Sequence, residues 1–133
     1  MLEDMDSRRP VRRRPVFLDL RVIRLPVNAL VSILHRVAGV FLVLGLPVWA
    51  AWFVRSLEGE AGYRAVHAAL ASPGGALFAG ATLAALAHHG FAGLRHLLMD
   101  AHWGLGREAS RHSAWAVLAA DVIALPVIWG MLP

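Results

Sequence analysis

Three long apolar runs dominate the pattern of hydrophobic and polar positions along this chain, and polar clusters separate them. The runs cover residues 37–54, 76–94 and 113–133. Each is close to the roughly 20 residues that a helix needs to cross about 30 Å of hydrocarbon. The pattern therefore predicts an all-α membrane protein with three transmembrane helices. We place these helices at about residues 27–55, 76–100 and 110–132.

The polar segments around the runs predict the remaining organisation. Residues 1–26 form a predicted cytoplasmic N-terminal segment, and its part from about residue 16 mixes apolar and charged side chains as an interfacial segment does. Residues 27–133 form the predicted three-helix transmembrane anchor domain, with Pro47 as an expected kink in helix one. Residues 65–71 are expected to form a short surface helix before the breaker cluster Ser72-Pro-Gly-Gly75. No cleavable signal peptide is visible in the first 24 residues, because they lack an apolar core.

Composition and charge narrow the possible functions. The chain has 133 residues and no cysteine, which excludes disulfides, thiolate metal sites and thiol nucleophiles. All 13 basic residues are arginines; eight precede residue 37, and three lie at the turn between helices two and three. By the positive-inside rule, this distribution places the N-terminus in the cytoplasm, and it explains the net charge without a nucleic-acid partner. Three helices bury little surface against one another, so we expect partner subunits in the lipid bilayer.

Histidines within the second helix are the main candidate chemistry. His89 lies eleven residues before Asp100, hence roughly 16 Å inside that end of the helix. An imidazole at this depth is expected to be paired or coordinated, and haem iron is the use that we favour. Gly93 and His96 follow on the same face, and Gly93 would leave room for a flat macrocycle. His89 and His96 lie on one side and roughly 10 Å apart, so the second ligand of one iron must come from another helix, preferably of a partner subunit.

Two further ionisable residues lie at membrane depth. His88 points about 100° away from His89, and we interpret it as a buried packing donor to a serine, a threonine or a carbonyl group. The same packing role is the alternative for His89. Asp121 lies about halfway through helix three with no other ionisable residue near it on that helix. We therefore expect a neutral or hydrogen-bonded Asp121 that faces a partner helix.

A polar group also marks the start of helix one. Ser32, His35, Arg36 and Gly39 are spaced i, i+3, i+4 and i+7, which predicts one common face near the membrane entrance. A guanidinium group suits haem propionates or a quinone oxygen, and the serine hydroxyl could donate to a quinone carbonyl. The alternative is that His35 and Arg36 only reach up to lipid phosphates. His35 is expected near the interface, above His89.

Three separate segments carry a family resemblance. They are Arg14-Pro-Val-Phe-Leu-Asp-Leu, Ser32-Ile-Leu-His-Arg-Val-Ala-Gly39 and His89-Gly-Phe-Ala-Gly-Leu-Arg-His-Leu-Leu-Met-Asp100. In order and spacing they resemble the cytochrome b subunit of bacterial succinate dehydrogenase. The resemblance covers about residues 14–112.

This resemblance implies an anchor in the bacterial inner membrane that joins a second anchor subunit, a flavoprotein and an iron–sulfur protein. Electrons from succinate would reach ubiquinone at the cytoplasmic face. By position, His89 would be an axial ligand of haem b, and Ser32 and Arg36 would belong to the quinone site. Further residues expected beside the haem are His35, Arg36, Gly93 and His96. The chain alone would not oxidise succinate. A haem-free structural anchor is the alternative, whereas a metal transporter or protease would need a ligand motif such as His-Glu-x-x-His, which the sequence lacks.

Overall fold

The computed structural model of this chain describes residues 19 and 22–132, and it is helical over most of that range. Its helices are α1 (Val27–Ser56), α2 (Glu60–Ala71), α3 (Pro73–Asp100) and α4 (Arg107–Met131). Helices α1, α3 and α4 are each long and apolar enough to cross a membrane. The prediction of an all-α protein with three transmembrane helices is confirmed. The predicted interfacial segment from about residue 16 to residue 26 falls partly outside the described residues.

The connection between α1 and α3 is more helical than the sequence pattern predicted. Helix α2 begins at Glu60 instead of residue 65, directly after Gly59, whose φ of 92° is readily adopted only by glycine. The cluster Ser72-Pro-Gly-Gly75 ends α2 as a breaker, and it also builds the first turn of α3, which therefore begins three residues earlier than predicted. The Ser72 hydroxyl accepts a hydrogen bond from the backbone N–H of Gly75 (3.1 Å). Pro73 is tolerated at the first helical position, because a backbone N–H at that position would have no partner within the helix.

The spanning helices form a bundle in which α3 runs antiparallel to both α1 and α4. At one end, Arg95 near the end of α3 meets Asn28 at the start of α1 and Ser110 at the start of α4. Towards the other end, the indole N–H of Trp49 in α1 donates to the hydroxyl of Thr82 in α3 (3.2 Å). These contacts place the beginnings of α1 and α4 and the end of α3 on the same side of the bundle.

Small side chains form the apolar interior of the bundle. Val31, Ala92, Ala114 and Val117 are packed together where α1, α3 and α4 meet. Most of the large apolar side chains of the spans point outward, including Leu44, Leu94 and Ile123. Outward-facing apolar side chains are what a lipid environment or partner helices require.

Candidate functional site

Three histidines predicted as candidate site residues come together between α1 and α3. The imidazole of His35 stacks on that of His89, with ring centroids 4.2 Å apart and planes inclined by 25°. The ring of His96, about two turns further along α3 than His89, also lies close to His35, with ring centroids 5.2 Å apart. The distance between α1 and α3 does not follow from the sequence, so this cluster is a finding of the structure. It places His35 directly against the predicted haem ligand.

Two glycines provide the space that these rings occupy. A Cβ atom added at Gly39 of α1 would lie 3.1 Å from Cε1 of His89, which is tighter than ordinary contact. A Cβ atom at Gly93 of α3 would lie 3.6 Å from Nε2 of His35. The His35 ring therefore fills the space beside Gly93. That a haem macrocycle occupies this space stays a prediction, and the His35 ring would have to move to admit it.

The hydrogen bonding of His89 suits an axial metal ligand. Its Nδ1 donates to the backbone carbonyl oxygen of His35 (3.3 Å), which leaves Nε2 with the lone pair. Metal-binding histidines commonly donate their other ring N–H to a carbonyl or carboxylate group in this way. Within residues 22–132, no three His, Asp or Glu side chains converge on a common point to hold a metal ion. A single histidine is enough where the porphyrin itself supplies the equatorial ligands.

The stacked geometry also shows that His35 is not positioned as the second axial ligand. Two imidazole nitrogens that share one metal lie about 4 Å apart, with the metal between them and both rings pointing at it. In this structure the two rings lie face to face, with only 4.2 Å between their centroids. No porphyrin plane fits between them. Of these two stacked histidines, His89 therefore stays the candidate for an axial ligand.

His88 and Asp121 form a buried pair between α3 and α4. Nδ1 of His88 lies 2.6 Å from Oδ2 of Asp121, and His88 is only 8% exposed. Asp121 was expected to be neutral or hydrogen-bonded and to face a partner helix; in this structure the helix that it faces is α3 of the same chain. Nε2 of His88 and Oδ1 of Asp121 are buried without a hydrogen-bond partner. Nε2 of His88 is buried in this structure, and His88 is held by Asp121, so His89 remains the better candidate ligand.

The predicted quinone residues lie in the first third of α1. In the part of the chain that the structure describes, they form no side-chain hydrogen bond with the histidines. Ser32 is half-buried, and Arg36 is exposed. Among the described residues, no ion pair involves the Arg36 guanidinium group. The structure thus leaves the charge of Arg36 accessible from outside the bundle, while His35 and Gly39 face α3.

Arg95 is the main buried residue that the sequence interpretation missed. It was counted among the arginines that set the topology, but it is only 7% exposed. Its Nε donates to the Ser113 hydroxyl (3.0 Å), and its Nη2 donates to Oδ1 of Asn28 (3.3 Å) and to the hydroxyl and carbonyl oxygens of Ser110 (3.1 Å each). The side chain amide of Asn28 also donates to the Ser110 hydroxyl (3.0 Å). This network joins all three spanning helices.

One sequence signal could have identified this role. Arg95 follows His88 by seven residues, so both lie on the face of α3 that is turned toward α4. Ser110 and Ser113 lie on α4 three residues apart, on one face of that helix. A polar stripe that continues along facing helices predicts an interhelical hydrogen bond, because lipid offers no alternative partner.

Comparison with known proteins gives a consistent result. Residues 10–128 match the sequence model of the family described as succinate dehydrogenase/fumarate reductase transmembrane subunit. A succinate dehydrogenase cytochrome b556 subunit from Paracoccus denitrificans is 34% identical over 110 residues, which is 83% of this chain and 85% of that protein. The protein of the same name from Coxiella burnetii is 33% identical over 114 residues, or 85% and 91% of the two chains. A third, from Rickettsia felis, is 24% identical over 117 residues, or 88% and 91%.

Proposed function

This chain belongs to the family of succinate dehydrogenase/fumarate reductase transmembrane subunits, and we propose that it contributes an axial ligand of haem b and part of a ubiquinone site to such a complex. The family resemblance of the three sequence segments is confirmed by the match over residues 10–128. Two of the relatives share about a third of their residues with this chain and are named as cytochrome b subunits. A haem-binding role for this chain is consistent with those names.

The observation that carries the haem proposal is the hydrogen bond from Nδ1 of His89 to the carbonyl oxygen of His35. It holds the proton on Nδ1 and leaves the lone pair of Nε2 for a metal. His89 also lies roughly 16 Å from the end of α3, near the middle of a bilayer. When bound there, haem would supply one-electron transfer within the membrane. The stacked His35 ring restricts the rotation of the His89 imidazole about its side-chain bonds.

The second axial ligand is proposed to come from a second membrane-anchor subunit. His35 lies face to face with His89 and is not placed to bind the opposite side of one iron. His96 follows His89 on the same helix, so it lies on the same side of any haem that His89 binds. His35, Arg36 and His96 are proposed to contact the haem propionates, because all three lie toward the same end of the bundle.

The visible spectrum of the complex purified through this subunit tests the haem proposal. Wild-type protein is expected to show a b-type signal in the dithionite-reduced minus oxidised spectrum. His89→Ala should abolish or shift the signal in a complex that still assembles. His67→Ala, which removes an exposed histidine on α2, is the matched control and should leave the spectrum unchanged. An unaltered His89→Ala spectrum would show that another residue binds the iron.

The quinone proposal depends on Ser32 and Arg36 near the start of α1. Ser32 and Arg36 lie roughly 8 Å and 14 Å along the helix from Val27, so a ring carbonyl can approach both from that end of the bundle. The exposed guanidinium group stays protonated and would stabilise negative charge on a quinone oxygen, while the serine hydroxyl donates a hydrogen bond. The protons consumed in quinone reduction would come from water or from a partner subunit.

Separate electron acceptors test the quinone proposal. Ser32→Ala is expected to lower quinone reductase activity while sparing succinate oxidation by artificial dyes, which bypass the membrane site. Ser56→Ala, at the opposite end of α1, is the matched control because its hydroxyl only donates to the Phe53 carbonyl. Equal loss of both activities in Ser32→Ala would contradict the role of Ser32 at the quinone.

The orientation and the soluble partners are also proposals. We place the end of the bundle that holds Arg36 and Arg95 at the cytoplasmic face, because the arginines concentrate there. The flavoprotein and iron–sulfur subunits of the complex would dock on this face, close to Ser32 and Arg36. Electrons leaving an iron–sulfur cluster would then meet the quinone site before the deeper haem.

A haem-free structural anchor is the second candidate function, and one observation favours it. His88 pairs with Asp121, so at least one of the deep histidines serves helix packing. The stacking of His35 on His89 likewise packs α1 against α3 without a bound ligand. The absence of a b-type signal from the wild-type complex would establish this alternative.

A further inference from the structure

A cavity between α3 and α4 lies apart from the histidine cluster and has no role in the proposed electron transfer. It has a volume of about 370 Å³ and is walled almost entirely by apolar side chains. It extends from Trp103 in the loop between the helices to Phe91 of α3 and Ala120 of α4. Phe91 and Ala120 lie roughly 14 Å and 20 Å from the loop ends of their helices, so the cavity reaches from the membrane surface toward its middle.

The wall of this cavity contains one cation, Arg95, whose charge is not balanced. All the hydrogen bonds of Nε and Nη2 go to neutral oxygens, those of Asn28, Ser110 and Ser113. No hydrogen bond involves Nη1 among the described residues, and no carboxylate there forms an ion pair with Arg95. A guanidinium group in a low-dielectric setting is stabilised by an anion that reaches it. Arg95 is 7% exposed and lines the cavity, so an anion inside the cavity can reach it.

The mouth of the cavity carries the features of a lipid headgroup layer. Trp103 is 72% exposed, and tryptophan is enriched at the level of the headgroups. Arg107 and Arg111, in the first turns of α4, are exposed at the same end, together with the acidic Glu108 and Asp100. Basic pockets between membrane helices bind anionic lipid headgroups.

We propose that this cavity binds an anionic phospholipid, with one acyl chain between α3 and α4 and the phosphate group at Arg95. The apolar walls match an alkyl chain, and the unbalanced guanidinium group matches a phosphate, to which the N–H groups of Nη1 can donate. A partner helix is the competing occupant, but its apolar face would leave the charge of Arg95 without an anion. The proposal is independent of haem and quinone.

Lipid retention by the complex tests the acyl-chain site. The complex is purified through this subunit with the partners that accompany it, washed in mild detergent and analysed by native mass spectrometry. Wild type is expected to retain phosphatidylglycerol. Ala116→Trp fills the cavity from α4 at a residue that makes none of the Arg95 hydrogen bonds, and it should lose that lipid. Ala119→Trp, on an exposed surface of α4 outside the cavity, is the matched control and should retain it.

Headgroup selectivity tests whether the site prefers a phospholipid of net negative charge, and it does so without altering Arg95, whose removal would also break the network that joins the helices. Phosphatidylglycerol added to the delipidated wild-type complex should raise its Tm, whereas phosphatidylcholine with the same acyl chains should have little effect. Arg95→Lys, where it assembles, should bind phosphatidylglycerol about tenfold more weakly, because an ammonium group has too few N–H donors to serve both the network and the phosphate.

Several outcomes would overturn the proposal. Equal stabilisation by phosphatidylcholine would show that the site does not select a lipid of net negative charge, and equal stabilisation by oleate would show that no phosphate is required. Retention of phosphatidylglycerol by Ala116→Trp would place the lipid elsewhere on the complex. If Ala116→Trp loses a partner subunit, while wild type retains the same lipid before and after washing, the cavity would be assigned to a protein partner.

Discussion

The pair formed by His88 and Asp121 leads to a quantitative prediction about stability. Asp121→Leu removes the acceptor and leaves the His88 ring, which is 8% exposed, with both nitrogens unsatisfied. Hydrogen bonds between membrane helices contribute about 0.6 kcal/mol on average and up to about 1.7 kcal/mol. The 2.6 Å separation and the burial of His88 place this bond at the upper end of that range. We therefore expect Asp121→Leu to reduce the free energy of unfolding by about 1–2 kcal/mol.

The double variant separates the hydrogen bond from other effects. In His88→Leu/Asp121→Leu both polar groups are replaced by apolar ones, and no buried donor or acceptor is left without a partner. Such a replacement is often neutral or stabilising. The double variant should therefore unfold within about 0.5 kcal/mol of wild type, although each single variant is destabilised.

Denaturation in mixed micelles, followed by tryptophan fluorescence, measures these free energies. Val122→Leu, a conservative change on the exposed surface beside Asp121, is the matched control and should unfold like wild type. Two results would refute the reasoning. If the effects of the single variants simply add in the double variant, then the two residues are not coupled; if neither single variant is destabilised, then the hydrogen bond contributes nothing.

The glycines that allow close approach give the remaining predictions. Gly39→Ala places a methyl group 3.1 Å from Cε1 of His89 and should lower the haem content or shift the b-type spectrum, whereas Gly90→Ala, which meets no atom within 4 Å, should leave both unchanged. Gly75→Ala should sharply reduce the amount of folded protein in the membrane, because its Cβ would overlap a backbone carbonyl group at the end of α2; Gly74→Ala is the open control. Equal levels of the two variants would show that the chain between α2 and α3 adjusts freely.

The number and kind of the helices could be predicted from the sequence because hydropathy is a property of neighbouring residues in one segment. The three spans are found within a few residues of where the apolar runs placed them. The main error, at the start of α3, has a local cause. Ser72 and Pro73 break a preceding helix but equally begin a following one, and the pattern of residues alone does not say which role is taken.

The contacts between helices could not be predicted from the sequence in the same way. Asp121 was expected to be neutral or hydrogen-bonded and to face a partner helix, but the sequence did not identify that helix as α3 or the partner as His88, 33 positions earlier. Arg95 fitted the positive-inside rule equally well whether exposed or buried, so the charge distribution gave no reason to look for its network. Cross-helix geometry depends on the rotation of each helix about its axis, which hydropathy does not determine when apolar side chains point in nearly every direction.

Polar contacts, more than apolar ones, determine that rotation in this bundle. The buried apolar side chains are few and mostly small, and lipid satisfies an apolar surface as well as another helix does. Polar atoms have no such alternative in hydrocarbon, so each hydrogen bond between helices restricts their rotation. Along α3, Thr82 bonds to α1, His88 to α4, His89 to α1, and Arg95 to both. Because His88 and His89 are consecutive and bond to opposite neighbours, the bond from His88 to α4 helps to set the direction in which His89 presents its free nitrogen.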